Sequence, residues 1–107
     1  MDKYKPKLIS LCHPHNPSGK IFKKDELDFI IKKASQYGTY ILSDEIMADF
    51  TLYPPEQRKN ATKFISLVNY SYERILVGNS ISKIFNTGSV QGGFSIIKDK
   101  SVRDKYL

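Results

Sequence analysis

Ile75-Leu76-Val77-Gly78-Asn79-Ser80-Ile81-Ser82-Lys83 runs from an apolar segment into a polar turn that ends on a lysine. Two stretches upstream repeat the pattern. Asp44 follows the apolar run Thr39-Tyr40-Ile41-Leu42, and Asn16-Pro17-Ser18-Gly19 comes just past Leu8-Ile9-Ser10-Leu11. An amide, a carboxylate and an amine therefore each stand just beyond a strand-like segment, and a helical stretch separates the first two. In an open α/β sheet the carboxyl ends of parallel strands converge on one crevice, and ligands bind there. The three groups are expected to meet.

The rest of the chain supports that frame. Lys7 to Cys12 reads as a strand, apolar on both faces and so expected in the interior of a parallel sheet. His13 to Gly19 is a loop, marked by two prolines and a glycine. From Lys24 to Tyr37, Leu27, Ile30, Ile31 and Ala34 recur at helical spacing, with Asp25 and Glu26 in the first turn and Gly38 as a stop. Thr39 to Ser43 predicts a second strand, Arg74 to Gly78 a third and Gly93 to Ile97 a fourth. Between them, Glu45 to Tyr53 carries a mixed signal and Pro54 to Asn60 reads as a polar surface loop. A short helix fits within Lys63 to Tyr72, and Ser101 is the expected N-cap of a last helix. Strands alternating with helices imply a layered α/β domain of βαβ type. A last helix cut at Leu107, and a first strand close to the N-terminus, suggest a piece of a larger fold.

Composition narrows the classes. A chain of 107 residues, 40 % apolar and 26 % charged, supports one modest soluble domain. No apolar run approaches a membrane span, and Met1 to Pro6 lacks the apolar segment of a secretory signal. The lone Cys12 rules out an internal disulfide and suits a reducing cytoplasm; at a strand end it is expected to be a small buried thiol. The net charge of +6 comes from scattered lysines, with no run of five like charges and no aromatic-basic signature, so a solvated surface is expected rather than a nucleic-acid interface.

A nucleophilic lysine, an anion for a ring nitrogen and a hydrogen-bond donor suit pyridoxal phosphate. At this point the chain resembles a known family. Cys12-His13-Pro14-His15-Asn16-Pro17-Ser18-Gly19, Ser43-Asp44-Glu45-Ile46 and Ser82-Lys83-Ile84-Phe85-Asn86 are similar to motifs of the fold type I pyridoxal-phosphate enzymes, the class I/II aminotransferase group, and within it to the cystathionine β-lyase (C–S lyase) branch. Each motif alone is weak, but three in family order, each at a strand end, carry the resemblance over the whole chain. It implies a three-layer α/β/α domain with a mostly parallel sheet, of which residues 1–107 form a partial cofactor-binding large domain. The N-terminal segment and the C-terminal small domain would lie elsewhere.

Carried over by position, Lys83 would bond covalently to the cofactor and act as the catalytic base. Asp44 would face the ring nitrogen, Asn16 would donate to the phenolic oxygen, and Ser80, with Ser82 second to it, would contact the phosphate. The chemistry is coherent: an amine must be unprotonated to attack a carbonyl, and a carboxylate beside the ring nitrogen keeps it protonated and electron-withdrawing. The resemblance further implies a sulfur-containing amino acid substrate such as cystathionine, a family homodimer, and β-elimination to thiol, pyruvate and ammonia. Amino acid transamination is the neighbouring alternative, and a non-catalytic truncated remnant or split subunit is the alternative of another class.

Two departures bear on this. Gln91 stands eight residues after the lysine, where many aminotransferases carry a phosphate-binding arginine, a loss shared by much of the lyase branch. Met47 stands where relatives place a tyrosine or histidine, and a thioether cannot donate a hydrogen bond. Other features have plainer readings. Glu45 is structural. His13 and His15 shape the Asn-Pro turn rather than bind zinc, for want of a third ligand. Gly88, Gly92 and Gly93 serve turns rather than a dinucleotide loop. Tyr37, Tyr40, Phe50 and Tyr53 are packing residues.

Overall fold

The computed structural model describes residues 3–50 and 55–106. Their elements are β1 (Leu8–Cys12), α1 (Lys24–Tyr37), β2 (Tyr40–Asp44), two 3-10 turns (Pro55–Asn60 and Leu67–Asn69), β3 (Ile75–Asn79), β4 (Phe94–Ile97) and α2 (Lys100–Tyr106). The strands form one sheet in the order β1-β2-β3-β4. β1, β2 and β3 are parallel, and β4 runs antiparallel to β3. This is the mostly parallel α/β arrangement that the sequence predicts.

α1 forms because its apolar residues make one stripe and both ends are closed. At the N-terminus the Glu26 carboxylate accepts the Lys23 backbone N–H at 2.8 Å, half of a capping box. At the C-terminus Gly38 takes φ 62°, and its N–H returns to the Ser35 carbonyl. The stripe buries Leu27 and Ala34 completely against Ile41, Ile75, Val77 and Leu67. Burying a leucine side chain is worth roughly 1.5–3 kcal/mol, so this face holds α1 to the sheet.

Side chains alternate along each strand, so Tyr40 projects to the face opposite Ile41. There its hydroxyl donates to Asp99 at 2.7 Å, immediately ahead of α2. The Ser101 hydroxyl and the Tyr40 hydroxyl together hold the Asp99 carboxyl down at about 2. Asp99 also accepts the backbone N–H groups of Ser101 and Val102. It is thus Asp99, two residues earlier, and not Ser101, that caps α2: its carboxylate accepts the first-turn donors and favours the helix dipole, and the Ser101 hydroxyl itself donates to it. With α1 on one face and α2 at the other, the chain carries three layers in outline.

Several expectations are corrected. β1 is the outermost strand among the described residues rather than an interior one, and Leu8 is 52 % exposed. The polar stretch read as a loop contains the exposed 3-10 turn Pro55–Asn60, and the helix expected within residues 63–72 is the three-residue 3-10 turn Leu67–Asn69. Ser66 caps the latter by accepting the Val68 N–H. Tyr37 and Tyr40 are half-buried as expected of packing residues, Phe50 is exposed, and Tyr53, Pro54 and the Leu107 end fall outside the described residues.

Gly38 yields a test. A Cβ there would stand 2.8 Å from Arg74 Nη1; that guanidinium can swing aside, but a positive φ cannot be relieved. Gly38→Ala is expected to lower unfolding free energy by about 1 kcal/mol in urea denaturation, with an unchanged slope.

Candidate functional site

Strand register decides which loops can share a site. Cys12 pairs with Asp44, and Asp44 pairs with Gly78. Three parallel strands therefore end at the same level, and the turn bearing Asn16, the carboxylate of Asp44 and the loop bearing Ser80, Ser82 and Lys83 all leave from one edge of the sheet. Asp44 is the last residue of β2, and its side chain shares a face with Cys12 and Gly78. Asp44 is exposed, with Oδ1 accepting the Ile46 N–H at 3.1 Å. Asn16 and Lys83 are exposed as well. Among the described residues, neither the Lys83 amine nor the Asn16 side-chain amide is engaged in a hydrogen bond or ion pair. The amine and the side-chain amide are thus unspent, and the Asp44 carboxylate is engaged through one oxygen.

Ser80 is different. Its hydroxyl accepts the Ser82 N–H at 3.1 Å and lies 2.5 Å from the Gly92 carbonyl and 2.9 Å from Ser82 Oγ. A single hydroxyl proton serves one acceptor at a time, so Ser80 ties the start of the 80–93 loop to its end. Gly93, next to Gly92, packs so closely that a Cβ would meet the Asn79 carbonyl at 3.2 Å.

Behind the edge lies a buried polar layer that sequence reasoning did not foresee. Glu45, 2 % exposed, uses one oxygen, Oε1, to accept both the Ser43 hydroxyl (3.0 Å) and the Leu67 N–H (2.9 Å). The Glu45 N–H donates to the Gly78 carbonyl at 2.9 Å. Glu45 is structural, as expected, and joins β2, β3 and the Leu67–Asn69 turn. His13 is fully buried. Its Nδ1 accepts the Phe22 N–H at 3.3 Å, which makes Nε2 the protonated nitrogen, donating to the Ile65 carbonyl at 3.2 Å. The ring lies edge-on to Phe22 and tilted over Phe64. His15 Nδ1 meets the Ser18 hydroxyl at 2.8 Å inside the turn. Both histidines thus shape the Asn-Pro segment. Cys12 is half-buried rather than buried, because its Sγ takes part in that segment, accepting the Asn16 N–H and donating to the Pro14 carbonyl, each at 3.4 Å. The signal for this layer was faint: His13 follows a strand, and Ser43 and Glu45 alternate with Asp44 on the covered face.

Residues 1–106 match the family model for aminotransferase class I and II. This chain belongs to that family. The cystathionine beta-lyase PatB of Bacillus subtilis (strain 168) is 32 % identical over 99 residues, 92 % of this chain and 24 % of that protein. A histidinol-phosphate aminotransferase of Thermoanaerobacter pseudethanolicus is 27 % identical over 107 residues, 100 % of this chain and 26 % of that protein. Among solved structures, cystalysin from Treponema denticola, which contains a pyridoxal 5'-phosphate cofactor, superposes with a TM-score of 0.81 at 25 % identity, over 98 % of this chain and 27 % of that one. The fold is that of the pyridoxal-phosphate-dependent transferases. The chain spans about a quarter of the length of the curated relatives it matches.

His13 makes stability pH-dependent. Burial holds its imidazole below the ordinary 6.5, against the opposing pull of the Ile65 carbonyl and the Glu45 charge. Between the folded value and 6.5 the unfolded chain binds the extra proton, so stability is full above 6.5 and is lost as pH falls from there through the folded value. Urea midpoints measured from pH 8 to pH 5 are expected to fall through this window in the wild type, with a shallower fall in His13→Phe.

Proposed function

We propose that this chain is the cofactor-lysine segment of a pyridoxal-phosphate-dependent carbon–sulfur β-lyase, acting on a sulfur-containing amino acid of the cystathionine or cysteine type. The observation that carries it is the shared carboxyl edge of β1, β2 and β3, with an unspent amide and amine, and a carboxylate engaged through one oxygen, at the points where the chain leaves it. Bound there, pyridoxal phosphate would supply the electron sink for charge developing at the substrate α-carbon.

The chain's own residues divide the work. Lys83 would hold the cofactor through Nζ and, once displaced by the substrate amine, take the α-proton as general base. Asp44 would hold a proton on the ring nitrogen. Its Oδ1 bond from Ile46 N–H orients the carboxylate and leaves the second oxygen for that contact. Asn16 would donate to the phenolic oxygen. Ser80 and Ser82 would meet the phosphate, with Ser80 trading its Gly92 or Ser82 acceptor for a phosphate oxygen. Loss of the α-proton would let the β-carbon–sulfur bond break with its electron pair going to sulfur, the thiolate taking back the proton held by Lys83, and hydrolysis of the remainder would give pyruvate and ammonia.

The lyase reading is favoured over transamination by similarity to PatB and by Gln91 in place of an arginine; similarity to a histidinol-phosphate aminotransferase supports the second reading. Because the chain spans a quarter of its relatives, we propose further that activity needs the remaining parts of the fold, in the manner of a partial domain, and that the whole assembles as a cytoplasmic homodimer. Among the described residues no helix is long and apolar enough to cross a membrane.

Mixing the purified chain with pyridoxal phosphate is expected to give a visible absorption band that is lost in Lys83→Ala and weakened roughly tenfold in affinity in Asp44→Asn. A band that is absent, or unchanged in Lys83→Ala, overturns the reading. Pyruvate release from cystathionine then distinguishes lyase from transaminase, for which amino-group transfer to a 2-oxo acid is the readout. Little turnover is expected from the chain alone.

A further inference from the structure

We propose that His13 is a positioning residue, a buried neutral clamp that sets the place of the Asn16 turn against Asp44. For the chemical roles of Asn16 and Asp44 it rests on the reading above; for its geometry it does not.

The turn carrying Asn16 is bonded chiefly to itself. The Gly19 N–H donates to the His15 carbonyl at 2.7 Å, the His15 N–H to the Lys20 carbonyl at 2.9 Å, and the His15 ring meets Ser18. Asn16 is fastened downward through its N–H to Cys12 Sγ. Such a unit moves as one piece, so its place depends on what holds its base. Among the described residues, three things hold it. The Cys12 sulfur does so through long, weak bonds of 3.4 Å, and the Lys20–Glu26 ion pair at 2.6 Å is solvent-exposed on both sides and therefore weak and screened. The third is His13.

His13 is joined to the sheet by its backbone, whose N–H donates to the Asp44 carbonyl at 2.9 Å. Its ring then spans outward in two directions, to Phe22 N–H ahead of α1 and to Ile65 carbonyl ahead of the Leu67–Asn69 turn. Only a neutral imidazole presents an acceptor and a donor at separate points of one rigid ring. Buried bonds of this kind are costly to leave unmade, and Phe22 and Phe64 restrict the ring's tilt. A rotation of His13 would therefore shift the Asn16 turn relative to the carboxylate one strand away.

Cys12, the sole cysteine, is a built-in reporter. Its sulfur accepts the Asn16 N–H, so a displaced turn uncovers it. His13→Phe keeps a planar aromatic ring, somewhat larger than imidazole, and removes both nitrogens. In the full chain without cofactor, alkylation of Cys12 is expected to be about tenfold faster in His13→Phe than in the wild type. Ile75→Ala, a core change of comparable stability cost, should leave the rate within about twofold. His13→Gln, a backup should the phenylalanine variant fail to fold, retains a donor toward Ile65 and should fall between. With pyridoxal phosphate added, the pH titration of the Lys83-dependent band in His13→Phe should shift in the same direction as in Asn16→Ala, and the double variant should shift no further. Equal alkylation rates in His13→Phe and Ile75→Ala, or additive shifts in the double variant, overturn the clamp. If no Lys83-dependent band forms, the cofactor reading fails and the alkylation rates still decide the clamp.

Discussion

The parallel register of three strands is the constraint on which the candidate site depends. Cys12, Asp44 and Gly78 lie at one level across the sheet. A slip of one residue in β2 would turn Asp44 into the covered face and bring Glu45 outward. That slip is opposed from both sides. Ile41 and Ser43 are buried toward α1, and Glu45 is held by Ser43, Leu67 and Gly78. The alternation of an exposed carboxylate, Asp44, with a buried, structural one, Glu45, is therefore a single decision of register. Asp44 faces solvent because Glu45 cannot.

Much of this was legible in the residues because it rests on local rules. α1 spans Lys24–Tyr37 as its apolar stripe and its glycine stop predict, and each strand boundary lies within one residue of expectation. Apolar runs bounded by turn residues define short buried strands well. Fold class followed from their alternation with a helix, and family membership from three motifs that are each too common to decide alone.

What was illegible depends on partners distant in the chain. Whether β1 is an edge or an interior strand is a matter of neighbours, and its own composition says only that both faces are apolar. The 3-10 turn at Leu67–Asn69 is fastened by Glu45, twenty-two positions away, so no local periodicity announces it. The choice between Asp99 and Ser101 as the cap of α2 is tied to a bond that Asp99 accepts from Tyr40 on another element. His13 looked like a turn residue and is one. Its grip on Ile65, 52 positions away, belongs to tertiary structure alone.

The Ser80–Gly92 closure has a consequence for how this fold tolerates change. Because the hydroxyl fastens both stems of the excursion beside β3 and β4, residues between the stems form a closed lobe whose outer part carries little responsibility for strand pairing. Ile84, Phe85 and Val90 on that lobe are all exposed. Sequence can drift on the far side of that lobe, around Val90, while the neck and the Ser82–Asn86 stretch bearing Lys83 stay fixed, so change at the rim of the crevice is uncoupled from the integrity of the sheet beneath it.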